Sequence, residues 1–315
     1  MAGRLILAAA LVALAALSPA RAGNAGDCSQ TKDNDLRIRG CTAIIDSGEP
    51  SNRTVAFTNR GGAFRGKREF DKAFADFAAA LLLQPDFVPA LNNRGLTYYD
   101  KGDLDKAIVE YNRALQLQPD FVATISNRGA AFLAKGDLDK ALADFDRALQ
   151  LKPDDAMSLN NRGGAYFAKG DFDKVIADED KAIALQPDFA KALYNRGSAY
   201  LKKGDFAKAT SDLDRAIALE PDFASALTNR GSVYLGKGDV DKAIADYDRA
   251  IQLGTPNPEA YYNRGAAYQA KGDLKTAIAD FKAAAGLLPK SDPLNEKALA
   301  RIAKLEALQA AAPKP

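Results

Sequence analysis

The chain of 315 residues has no histidine and only two cysteines, and its formal net charge is +2. Each scarcity excludes something. Without histidine there is no imidazole to act as general acid or base near neutral pH, and no imidazole to ligate a metal. No Gly-x-Ser-x-Gly elbow is present to expose a nucleophilic serine. An excess of positive charge is missing too. Residues 1–22 contain two arginines and no acid, so the rest of the chain carries 41 basic and 41 acidic side chains. Nucleic-acid binding depends on clustered Lys and Arg neutralising phosphates, and a balanced chain without a basic block argues against it. The long apolar run is confined to Leu5–Leu17, short of the ~20 residues that cross a bilayer. Arg4 precedes it, and Ala20 and Ala22 follow as a small-x-small site. This pattern predicts a signal peptide over 1–22, cleaved after Ala22. The expected product is an exported protein, periplasmic or secreted, without a membrane span of its own. Asp27 precedes Cys28, where a bacterial lipoprotein site has a small residue, so lipidation is not expected.

Cys28 and Cys41 lie close together just after that site. In an oxidising compartment an even pair with no other thiol most simply forms one bridge. It would close a short loop, for a gain of roughly 3 kcal/mol. A metal pair is disfavoured, since no histidine or further cysteine is available to complete it.

What the chain has in abundance is repetition. Asn-Arg-Gly begins at Asn59, Asn93, Asn127, Asn161, Asn195, Asn229 and Asn263, at a constant interval of 34 residues. A period in that range signals stacked supersecondary units in place of one closed globule. Within the unit Val88–Phe121, the spacing of Leu91, Gly95 and Tyr98 predicts one helix over 90–99. Gly102 ends it in the left-handed region and Asp103 caps the next helix. That second helix is expected from Leu104 to about Gln118. Ala107, Tyr111 and Ala114 line its inner face, with Leu104, Ile108, Leu115 and Leu117 adding apolar contacts. Pro119 stops it, and Asp120 is expected to cap the following helix. Mid-helix glycine costs about 1 kcal/mol against alanine. Its return at Gly61, Gly95, Gly129, Gly163, Gly197, Gly231 and Gly265 implies that the paired helix approaches too closely for a side chain. Alanine returns at Ala80, Ala114, Ala148, Ala182, Ala216, Ala250 and Ala284 for the same reason.

With Gly95, Tyr98, Ala107, Tyr111, Ala114 and Pro119 in these places, the unit resembles the tetratricopeptide repeat. Seven copies span 54–291, as 54–87, 88–121, 122–155, 156–189, 190–223, 224–257 and 258–291. The resemblance implies an all-α, right-handed α-solenoid of helix-turn-helix repeats whose first helices line a concave groove. It also implies a protein-interaction scaffold, not an enzyme. Residues 23–53 are expected to form an N-terminal cap, with Ile38, Cys41, Ile44 and Ile45 on its packing face. Residues 292–315 are expected to form a C-terminal capping helix and tail, with Leu294, Ala298, Ile302, Leu305 and Leu308 as the apolar stripe.

One departure from the family is systematic. Arginine stands where leucine is usual, at Arg60, Arg94, Arg128, Arg162, Arg196, Arg230 and Arg264. An acid recurs in each second helix, at Asp76, Glu110, Asp144, Asp178, Asp212, Asp246 and Asp280. Each arginine is expected to pair with the acid of its own repeat, forming a ladder. The least regular region is the junction of repeats three and four. Asp155 replaces a phenylalanine, Val175 an alanine and Glu179 an aromatic or leucine. Read as local drift, Glu179 reaches Arg162 or solvent; the alternative is a soft spot or polar contact site in mid-array.

No cofactor is expected. Gly61-x4-Gly66-Lys67 and Gly231-x4-Gly236-Lys237 approach a phosphate-binding loop, but Arg68 and Gly238 follow in place of Ser or Thr, and the glycines lie on a helix. Asp178-Glu179-Asp180 points in successive directions around a helix and does not make a metal site. Carried over from the family, the groove positions are Asn92, Tyr99, Asn160, Phe167, Tyr194, Lys202 and Tyr262, bordered by Asn93, Asn127, Asn161, Asn195 and Asn263. Amides would serve a peptide backbone and rings its side chains. Asparagine is equally open to a purely structural reading, as a residue that suits repeat packing. The expected function is a non-catalytic scaffold in the cell envelope. The alternative is a regulatory or recruiting subunit of an envelope protease or cell-wall hydrolase.

Overall fold

The computed structural model describes residues 26–30, 32–48, 50–254 and 256–311. The expected signal peptide lies outside them. Among the described residues the regular structure is all helix, and the chain divides into two units that meet in sequence between Lys135 and Gly136.

The first unit holds α1 (Asn34–Asp46), α2 (Pro50–Gly66), α3 (Phe70–Leu83), α4 (Val88–Asp100), α5 (Leu104–Leu117) and α6 (Val122–Ala134). The second holds α7 (Leu138–Leu151), α8 (Ala156–Lys169), α9 (Phe172–Leu185), α10 (Ala190–Lys203) and α11 (Phe206–Leu219). It continues with α12 (Ala224–Gly236), α13 (Val240–Gln252), α14 (Pro258–Lys271), α15 (Leu274–Gly286) and α16 (Pro293–Ala311). Even-numbered helices α2–α14 are the first helices of their repeats, and odd-numbered α3–α15 the second. The chain is an all-helical tetratricopeptide-type solenoid of paired helices.

Local chemistry sets the boundaries. Gly102 adopts φ 81°, a region that costs an L-side chain ~1 kcal/mol or more. Asp103 then accepts from the Lys106 amide at 3.2 Å. At the far end Gln118, held before Pro119, leaves the helical region at φ −135°, ψ 87°. The first repeat forgoes the glycine, and Arg68 takes the left-handed conformation itself at φ 60°. The N-cap position of α6 is Phe121, one residue beyond the expected Asp120. At the irregular junction the replacement of that phenylalanine supplies a true cap, since Asp155 accepts from the Ser158 amide at 3.0 Å.

Inside the hairpins of repeats one, two and four to seven the two helices touch at the glycine. A β-carbon on Gly95 would lie 2.5 Å from Tyr111 Cε1, and one on Gly231 2.7 Å from Tyr247 Cε1. Tyr111, Tyr247, Phe77 and Phe281 are fully buried as a result, and Phe145 and the recurring alanines are fully buried too. Leu117 and its counterparts Leu151, Leu185 and Leu219 stay largely exposed. They end their helices, and Leu117 is less buried there than the apolar contact expected of it requires.

The arginine ladder is present. Nε and a terminal nitrogen of Arg60, Arg162, Arg196, Arg230 and Arg264 grip both oxygens of Asp76, Asp178, Asp212, Asp246 and Asp280 at 2.6–2.8 Å. Arg94 makes a single 2.8 Å bond to Glu110, and its buried Nε lacks a partner. The extra methylene of glutamate shifts the carboxylate out of the fork. A second rung was not foreseen. The other terminal nitrogen of Arg162, Arg196, Arg230 and Arg264 reaches back to Asp146, Asp180, Asp214 and Asp248 of the preceding repeat at 2.5–2.7 Å. Each of these arginines therefore joins two hairpins. A separate row of Lys–Asp contacts, such as Lys169–Asp139 at 2.7 Å and Lys271–Asp241 at 2.6 Å, runs along the exposed edge, where solvent screens it.

At the N-terminal end the Cys28–Cys41 disulfide forms, and its sulfurs pack with Ala56, Ile44 and Ile45. At the C-terminal end Ala298, Ile302 and Leu305 bury against Ala277, Ile278 and Phe281. Leu308 is exposed and Leu294 only half-buried, because α16 extends past the last hairpin. The apolar stripe is thus shorter than expected.

Replacing Arg196 by alanine strands the Asp212 carboxylate, which is 4% exposed. The expected loss in chemical denaturation is about 3 kcal/mol, whereas Lys271→Ala is expected to leave the midpoint unchanged.

Candidate functional site

The first helices of the repeats carry the residues expected to line a groove. Many of their polar groups are already engaged between repeats. In the first unit Asn92 is buried and accepts from Thr124 Oγ1 at 3.0 Å and from Asn127 Nδ2 at 2.9 Å. Asn93 turns back on its own helix, donating to the Pro89 carbonyl at 2.9 Å. In the second unit Asn229 Nδ2 donates to Ser198 Oγ at 2.7 Å, and Asn263 Nδ2 to Ser232 Oγ at 3.2 Å. The asparagine of Asn-Arg-Gly thus spends its amide nitrogen on the preceding repeat at Asn127, Asn229 and Asn263. Asn161 is half-buried.

The aromatic positions are partly covered. Tyr194 packs on Phe223 with ring centres 4.8 Å apart, and burial pushes its phenol above the usual range. Phe167 meets Phe172 edge-on at 5.3 Å. Tyr262 lies 5.2 Å from Phe281, with the Arg301 guanidinium 5.3 Å above its ring. Tyr99 is half-buried, and Lys202 is exposed. Tyr99, Phe167, Tyr194 and Tyr262 therefore each retain some accessible surface on the first-helix face of their own unit.

Glu179 departs from expectation. It reaches neither Arg162 nor solvent: Arg162 is held by Asp178 and Asp146, and Glu179 is fully buried. Its carboxyl occupies the space of the aromatic in other repeats, 2.4 Å from where a β-carbon on Gly163 would be. Asn160 Nδ2 donates to both its oxygens at 3.1 Å, and Asn195 Nδ2 donates to one at 3.0 Å. One buried acid thus ties α8 to α10 through two of the expected groove residues. Removal from water pushes its carboxyl up to about 8, against the opposing effect of the two amides. Asp178 adds to the rise and Arg196 offsets part of it. The signal in the sequence was the misplaced acid. Its destination depended on Arg162 already being occupied.

The sign of the pH effect follows. The carboxyl binds its proton more tightly folded than unfolded, where it titrates near 4.5. Its stabilising contribution is complete below that value and is lost as pH rises through about 8. Unfolding free energy measured from pH 5 to 8.5 is expected to fall by roughly 3 kcal/mol more in the wild type than in Glu179→Gln. Glu179→Phe, which restores the packing of Phe77 on Gly61, is expected to raise the thermal midpoint, most of all at pH 8.

Among the described residues no group of acids or cysteines is arranged to hold a metal, and no helix is long and apolar enough to cross a membrane. Models of the tetratricopeptide repeat match residues 194–258 and 233–292, and a further TPR-repeat model matches 95–136, 129–170 and 163–204. No curated protein matches the chain at significance. Among solved structures, a tetratricopeptide repeat protein from Parabacteroides merdae is 20% identical, with a TM-score of 0.62 over 80% of this chain and 98% of its own. Cut9, in a hetero-tetramer with Hcn1, is 17% identical with a TM-score of 0.73. That match covers 85% of this chain and 52% of that one. PilF of Pseudomonas aeruginosa is 20% identical with a TM-score of 0.57, over 68% and 96% of the two chains. Members of this repeat family are typically non-catalytic scaffolds for protein–protein interaction. With the repeat models covering more than half of its length, the chain belongs to the tetratricopeptide-repeat family.

Proposed function

We propose that the chain is a non-catalytic scaffold of the cell envelope that holds a protein or extended peptide along the first-helix face of its repeats. The observation that carries this reading is the fixing of the face before any partner arrives. Asn127, Asn195, Asn229 and Asn263 are each hydrogen-bonded to the preceding repeat, and Tyr194 and Tyr262 are each stacked on another ring. A surface already ordered loses little conformational freedom on binding, which favours affinity. Asn92 and Asn160 act as supports in this reading, since both are buried. Contact falls to Tyr99, Phe167, Tyr194, Lys202 and Tyr262.

Export is supported by the signal pattern over 1–22 and by the Cys28–Cys41 bridge, a bond that persists in oxidising compartments.

The test is photo-crosslinking in intact cells. A photoreactive residue at exposed Lys202 leaves the ring packing of Tyr194 undisturbed, and exposed Ser211 on α11 serves as control. A discrete adduct at position 202 alone is expected. Adducts at 211 alone, or at neither position, would remove the first-helix face as the binding surface.

A further inference from the structure

The first unit is short of hydrogen-bond acceptors. Among the described residues, the buried side-chain polar atoms without a partner are Nε of Arg37, Arg53 and Arg94 and the hydroxyl of Tyr111, and all four lie in that unit. Every one of them can donate. The misfit of Glu110 accounts for Arg94. Arg37 and Tyr111 share a neighbour, Arg65. α1 runs antiparallel along α2: Asn34 lies against Gly66, Arg37 against Gly62, and Thr42 Oγ1 accepts from Arg60 at 3.0 Å. Both terminal nitrogens of Arg37 are 3.7 Å from where a β-carbon on Gly62 would be. Arg65 stands three residues on from Gly62, on the same face of α2. Burial and then the Arg65 charge hold the Arg37 guanidinium below its usual range, with no acid of the described residues to offset them. Its Nη2 donates to a neutral group, the Asn59 side-chain oxygen, at 3.2 Å. Arg65 faces Asp100 at 3.8 Å, too far for a hydrogen bond. Burial pushes the Tyr111 phenol up, and Arg65, Asp100 and Tyr99 act on it in turn. The counterpart Tyr247 donates to Ser232 Oγ at 3.2 Å, whereas repeat two has Leu96 at that position.

From this shortage we infer that Arg37 and Arg65 together bind a carboxylate side chain, aspartate or glutamate, of the partner segment held on the first-helix face. The inference rests on the reading of that face as the partner surface and supplies the chemistry of its part in the first unit. A carboxylate is the group the site lacks, since it only accepts hydrogen bonds and its two oxygens match the planar fork of a guanidinium. Charge selects the same group. Two guanidiniums less the Asp100 carboxylate leave one positive charge, which a monoanion balances and a phosphate, with close to two charges, overshoots. Both arginines keep part of their surface open, and Asp100 is only loosely engaged, so a carboxylate from outside competes with it on good terms. Half-buried Tyr99, the residue before Asp100, offers a ring beside the site to the rest of the partner segment. Arg37 lies on α1, ahead of the first repeat. The site therefore belongs to the way this chain caps its first repeat, and the repeat unit alone does not build it.

The test is NMR of the whole chain with nitrogen-15 in its arginine side chains, titrated with N-acetylglutamate methylamide at constant ionic strength. Saturable shifts of the Nε–H signals of Arg37 and Arg65 are expected, with the glutamine analogue about tenfold weaker for want of a charge. Arg37→Gln and Arg65→Gln are each expected to weaken binding about tenfold, the loss of one charge-assisted bond. Asp100→Asn removes the internal competitor and is expected to tighten binding about threefold, a gain that damage to the fold would not produce. Four results would overturn the assignment. They are no saturable shift at either arginine, an equal response to the glutamine analogue, tighter binding of inorganic phosphate (which would make this a general oxyanion site), or a glutamate response unaltered in all three variants. This titration needs no partner and reads the first unit, whereas the crosslink at position 202 reads the second, so the two readings fail separately.

Discussion

The close approach of the two helices in each hairpin is the constraint on which the rest of the structure depends. A glycine backbone lies against an aromatic ring, a leucine or, at Gly163, the Glu179 carboxyl, at distances that a single added carbon would violate at Gly61, Gly95 and Gly231. This contact brings the preceding residue, an arginine, within reach of the acid beside the ring. Glycine, arginine, acid and aromatic are therefore one device: Arg230-Gly231 facing Asp246-Tyr247 is an example. The apolar half of the contact supplies burial. The ionic half sets how one hairpin sits against the next, because the same guanidinium also grips the repeat before it.

That division explains why charge is abundant in a chain whose net charge is small. The acids at Asp178, Asp212 and Asp246 are nearly inaccessible, yet each has two charge-assisted bonds from a planar fork. Leucine, usual at the arginine position in this family, would bury more apolar area but would not distinguish one stacking register from another. A buried ion pair contributes modestly to stability. Its distance and angle requirements disfavour a slipped neighbour.

Much of this was legible in sequence. The period, the Lys-Gly-Asp turns, the glycine-to-aromatic contact, the Cys28–Cys41 bridge and the in-repeat arginine pairs all follow from spacing within one unit. The second rung was hidden for a geometric reason. Asp146 and Asp178 stand sixteen residues either side of Arg162, and only the stacking of hairpins shows that both directions are used. The roles of Asn160 and Asn195 were hidden because their partner is Glu179, whose burial follows from what its neighbours had already claimed. Asp155, in place of a phenylalanine, is a cap whose use shows only in the fold. The exposure of Leu117 was hidden because a helical stripe does not reveal where the neighbouring helix stops.

Glu179 has one more consequence, in mechanics. Stacked hairpins joined only to their neighbours behave as an elastic rod, whose compliance is set by its softest joint. The joints of the second unit share the same arginine rung, so they begin with similar stiffness. The joint between α8 and α10 adds an element the others lack, a buried acid held by one amide from each side. When that acid loses its proton, a charge develops at a fully buried carboxyl, and the cost falls on this joint. A single residue, Glu179, therefore makes the strength of this one joint depend on proton concentration.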